Sequence, residues 1–116
     1  MKARSVAAIV LALGLPCGAE AQQTRALRFP AGPRLVQFCA SEAADYQDGF
    51  CMGYVLGLAS GLDGRPGTGV CVPDGLTARQ VRDRAITYLR KHPQAQRQDA
   101  PIAVTLALRA SFPCRR

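Results

Sequence analysis

Histidine occurs once in this 116-residue chain, tryptophan not at all, and no C-x-x-C, H-x-x-x-H or C-x-x-C-H spacing is present. A zinc or haem site therefore lacks its usual ligand set, and the residues call for no metal and no cofactor. A cysteine nucleophile would have His92 as its only imidazole base. His92 stands directly before Pro93 at the end of a helical pattern, where it can satisfy the last carbonyls and complement the helix dipole. Phosphate-loop chemistry is missing too. After Asp63-Gly64-Arg65-Pro66-Gly67-Thr68-Gly69, Val70 and Cys71 stand where a Lys and a Ser or Thr would be required. Gly57-Leu58-Ala59-Ser60-Gly61 misses the G-x-S-x-G nucleophile elbow by one position. Acidic residues are few, 8 against 15 basic ones. Glu42, Asp45, Asp48, Asp63, Asp74, Asp83 and Asp99 fall mainly at helix starts and loops, where capping explains them. No catalytic residue is assigned, and the chain reads as a binding protein, not an enzyme.

The excess of basic residues gives a net charge of +7. Basic balance suits nucleic acid or an anionic surface. Here the basic residues are scattered and nearly all Arg, and the chain has only four Phe and three Tyr to interleave for base stacking. A solvated surface without nucleic-acid binding is the expectation.

Residues 1–21 have the layout of a secretory signal peptide: basic Lys2 and Arg4, an apolar run from Val6 to Leu15, then Ala19-Glu20-Ala21, with cleavage expected before Gln22. The apolar run is far short of the roughly 20 residues needed to cross a bilayer, and Pro16 and Gly18 follow it. A lipoprotein reading of Cys17 is disfavoured by Leu15 and Pro16 in front of it. Removal of that segment on export leaves Cys39, Cys51, Cys71 and Cys114, an even number in a short chain, which reads as two disulfides. One domain with a modest core is all that this length allows.

Residues 22–34 show no period and suggest an extended leader, with the folded domain at 35–116. Leu35, Val36 and Phe38 could form a turn or two of helix. The run from Phe50 to Leu62 carries Gly49, Gly53, Gly57 and Gly61 at a spacing of four, one stripe of a helix. Each glycine costs a helix about 1 kcal/mol relative to alanine, so a second helix crossing close to Gly53 and Gly57, with Tyr54 as a buried contact, is the expected compensation. Asp63 to Val70 is a glycine-rich, mobile loop by its local signals. Thr77 and Gln80 form a capping box, Leu76 and Val81 occupy the staple positions, and Ala78, Val81, Ala85, Tyr88 and Leu89 share a face. Pro93 closes that helix. Asp99 can cap a last one, with Pro101 in its first turn and Pro113 at its end. Three clear helices, a weaker fourth and no alternating strand pattern predict an all-α single-domain bundle.

Four ordered segments resemble a known family: Phe50-Cys51-Met52-Gly53-Tyr54-Val55-Leu56-Gly57, Cys71-Val72-Pro73-Asp74-Gly75-Leu76-Thr77, Tyr88-Leu89-Arg90-Lys91-His92-Pro93 and Phe112-Pro113-Cys114. Together, over about Leu35 to Cys114, they resemble the Rap/Tai immunity proteins, resistance-associated proteins of type VI secretion. The resemblance implies a periplasmic all-helical domain, usually a homodimer, that binds a peptidoglycan amidase effector and plugs its cysteine–histidine cleft with a loop. The matched residues belong to the scaffold, so effector contacts do not carry over with them. A helical periplasmic protein of another binding class, chaperone-like or tied to envelope stress, is the alternative.

Four cysteines allow three pairings. An antiparallel path brings the end of the last helix near the loop before Thr77, which favours Cys71–Cys114 with Cys39–Cys51 and leaves the other pairings open. Two loops between helices could form the plug, Asp63 to Val70 or Gln94 to Gln98. The former has less side-chain bulk, and Asp63, Arg65 and Thr68 are the expected contact residues, with Arg65 placed to meet acidic groups. The same loop could equally do no more than carry Cys71 to its partner.

Overall fold

The computed structural model describes residues 30–41 and 45–115, together with Gly14. The expected signal segment apart from Gly14, with Cys17, lies outside the described residues, as do Gln22 to Phe29 and Glu42. Five helices follow one another: α1 (Gly32–Phe38), α2 (Tyr46–Leu62), α3 (Ala78–Lys91), α4 (Pro93–Gln96) and α5 (Ala100–Ser111). No strand occurs among the described residues; two isolated bridges, Ala31 with Asp99 and Val70 with Pro113, join segments that flank the helices. The chain is all-α, with disulfides Cys39–Cys51 and Cys71–Cys114.

Local chemistry sets the helix ends. Asp45 caps α2, its carboxylate accepting the Asp48 N–H at 3.0 Å, so α2 begins one turn before the apolar run. That backbone hydrogen bond, with a second from the Ser41 hydroxyl, holds the Asp45 carboxyl below its ordinary range. Thr77 and Gln80 close both halves of the expected capping box. Asp99 does not cap α5 with its side chain. The backbone does the work there, because the Ala100 N–H donates to Pro30 and the Gly32 N–H donates to Gln98, tying the start of α1 to the start of α5. Gln94 to Gln98, expected as a loop, contains the single turn α4 that Pro93 starts.

Helix α5 is central and touches the other four. Its Ala103, Val104, Ala107 and Leu108 are fully buried, as are Leu35 of α1, Val55 of α2, Leu89 of α3 and Val70, and Phe112 is nearly so. Each large apolar side chain removed from water in this way contributes on the order of 1.5–3 kcal/mol.

The glycine stripe of α2 does not pack as expected. The core face of this helix is Cys51, Val55 and Ala59. Gly53 and Gly57 lie two residues on, which is about 200° around the helix and therefore opposite the core. A Cβ built at Gly49, Gly53, Gly57 or Gly61 would meet nothing within 4 Å. Tyr54 is half-buried, its phenol shifted up by desolvation, and stacks on Phe50 with centroids 5.8 Å apart. The glycine that does permit close approach is Gly32, in the segment expected to be an extended leader. There a Cβ would overlap the carbonyls of Gln96 and Gln98. Gly53→Ala and Gly57→Ala are thus expected to raise stability by up to about 1 kcal/mol each, read from urea unfolding. A loss of stability in both would place another backbone against the stripe.

Candidate partner-binding site

Between α2 and α3 the chain makes a wound, hydrogen-bonded loop. Asp63 ends α2, its N–H donating to Ala59 O at 2.8 Å while its carboxylate accepts the Val72 N–H at 2.8 Å. Thr68 turns inward: its hydroxyl lies 2.6 Å from Leu62 O and 2.9 Å from Arg65 O, and it is the nearest acceptor to the Val70 N–H. Gly64, Gly67 and Gly69 take φ of 65°, 79° and 70°, a region open to glycine and strained for other residues. These three positions let the loop reverse twice within seven residues.

The loop is also fastened from outside. The Arg109 Nε–H, from the last turn of α5, donates to Thr68 O at 2.6 Å, and the Arg109 stem packs against Gly69. Val70 is fully buried and bridges Pro113, and the Cys71 N–H donates to Phe112 O at 2.8 Å beside the Cys71–Cys114 disulfide. Of the three expected contact residues, Asp63 and Thr68 therefore spend their polar groups on the loop's own shape. Arg65 is exposed and has no carboxylate partner among the described residues. Sequence reasoning missed Arg109, because a partner 41 residues away leaves no local signal.

Chemistry elsewhere is quiet. Both sulfurs of each disulfide are spent, so Cys39, Cys51, Cys71 and Cys114 offer no thiolate. His92 Nδ1 is 2.7 Å from Tyr88 O and therefore carries the hydrogen that is donated there, while its ring stacks on Tyr88 at 3.9 Å. His92 thus closes α3, as its position before Pro93 suggested. No group of three or more His, Cys, Asp or Glu among the described residues could hold a metal ion.

The described residues thus form a small disulfide-stapled helical domain with a hydrogen-bonded, glycine-built loop between α2 and α3. The chain belongs to the Rap1a immunity proteins, whose family model matches residues 31–114. No curated protein and no solved structure matches it. The two disulfides fit an oxidising compartment, and no described helix is long and apolar enough to cross a membrane.

Proposed function

We propose that this protein is a periplasmic immunity protein, homodimeric as its resemblance implies, that binds a type VI secretion peptidoglycan amidase effector and occludes its active site with the Asp63 to Val70 loop. Family membership supports the immunity role. The signal-like segment 1–21 and the two disulfides support export. The observation that carries the choice of loop is its preorganisation: the Thr68 hydroxyl, the Asp63 carboxylate and Arg109 fix the backbone while Arg65 stays exposed at the bend. A loop already held in its bound shape loses little entropy on entering a cleft, so more of the contact energy appears as affinity.

The roles of Arg65 and Thr68 separate on mutation. Arg65→Ala should leave the melting temperature unchanged and weaken inhibition of a co-encoded amidase roughly 10-fold or more, as for a central charged contact. Thr68→Ala should weaken inhibition through loss of loop shape and lower stability as well. Full inhibition by a folded Arg65→Ala protein would exclude that side chain from the contact. Failure of the wild-type chain to bind any co-encoded amidase would remove the amidase as target.

A further inference from the structure

On the side of α3 away from His92, a cleft of about 430 Å³ lies between that helix and residues 39–41. Arg79, Arg82, Asp83, Ile86 and Arg90 line it from α3, within one face of the helix by their spacing, and Thr87 and Ser41 add hydroxyls. Three guanidinium groups thus face one carboxylate. Arg82 forms the floor, its side chain only 8% exposed. Asp48 holds it from behind, Oδ1 to Nη1 at 2.6 Å, and reaches Arg79 only at 3.8 Å. Asp83 Oδ1 forms an ion pair with Arg82 Nε at 2.8 Å, but at an angle that leaves this buried N–H without a hydrogen bond among the described residues. Arg90 has no carboxylate partner among them either.

We infer that this cleft is a binding site for a small multivalent oxyanion, a polycarboxylate or a phosphate. Arginine forks match the paired oxygens of both, and charge-assisted hydrogen bonds from them are stronger than neutral ones. Asp48 and Asp83 fix the Arg82 head before any ligand arrives, so little side-chain entropy is lost there on binding. Arg79 and Arg90 are 11 residues apart along α3, roughly 16 Å at the backbone, and their long side chains approach the cleft from its two ends. The volume suits an anion of about citrate size. Nothing in the proposed amidase contact depends on this cleft, which is bounded by α3 and the residues after α1, not by the loop between α2 and α3.

The probes are citrate, its neutral trimethyl ester and inorganic phosphate, each titrated into the full mature chain at an ionic strength matched with sodium chloride. Amide chemical shifts give the site and calorimetry gives the affinity. Citrate or phosphate should bind saturably and shift Ser41, Arg79 and Thr87, while the ester does not bind. Arg79→Gln with Arg90→Gln, both at exposed positions that leave the Asp48–Arg82 pair intact, should weaken binding about 10-fold or more. Binding by citrate alone would make the ligand a carboxylate, and binding by phosphate a phosphate. Saturable binding by neither anion, or binding undiminished in the double variant, overturns the assignment.

Discussion

Opening the Cys71–Cys114 bridge, by Cys71→Ser with Cys114→Ser, is expected to remove about 4 kcal/mol of stability, against about 3 kcal/mol for Cys39→Ser with Cys51→Ser. The difference follows from loop length. The first bridge spans 43 residues and the second 12, and a longer ring takes more freedom from the unfolded chain. Ledger size makes either loss severe, because a domain of this length holds only some 5–15 kcal/mol in total. Removing both cysteines of a pair avoids leaving a reactive thiol. Urea unfolding of the two double-serine proteins checks the order as well as the sizes; equal losses would show that chain entropy does not set the contribution.

Asp48→Ala is expected to cost up to about 3 kcal/mol, since it leaves the buried Arg82 guanidinium with only the exposed Asp83 carboxylate beside it. Asp48 is itself only 14% exposed and joins α2 to α3 across a separation of 34 residues. Replacing the charge as well as its partner should recover much of the loss. Asp48→Ala combined with Arg82→Met leaves an unbranched apolar side chain in place of the half-paired cation, and the pair should be less destabilised than Asp48→Ala alone. Strictly additive losses in a double-mutant cycle would show that the two residues do not act as a unit.

Sequence alone set out the helices whose signals are local. Thr77 with Gln80 fixes a helix start by hydrogen bonding to the backbone, Pro93 and Pro113 fix ends by lacking a backbone N–H, and the structure places α3 and α5 accordingly. The cysteine pairing followed from an antiparallel path and the structure shows the same two bridges. Where the outcome depended on which face of a helix meets the core, residue type misled. Helix α2 carries apolar side chains on most sides, so its period does not choose between the Cys51-Val55-Ala59 face and the glycine stripe. Gly32 was hidden for the opposite reason: its need for a bare Cα comes from carbonyls of Gln96 and Gln98, more than 60 residues downstream. At the candidate site, glycines marked the loop between α2 and α3. The inward turn of Thr68 and the Arg109 clamp are tertiary, and no spacing announces them. The same holds for Arg82, which on α3 looks like one more surface arginine until Asp48 closes over it.

The two disulfides divide the backbone into two covalent rings, one from Cys39 to Cys51 and the other from Cys71 to Cys114. A protease that cuts inside either ring leaves the halves joined through sulfur, so a nicked molecule stays one molecule. Only the stretch from Met52 to Val70 lies between the rings, and a single cut there separates the protein into two pieces with no bond between them. The non-helical part of that stretch is the loop after α2. Proteolytic cleavage needs a segment that can be drawn out into an extended strand, and here the Thr68 hydroxyl, the Asp63 carboxylate and Arg109 all resist it. The hydrogen bonds that shape the loop thus also guard the seam between the two rings.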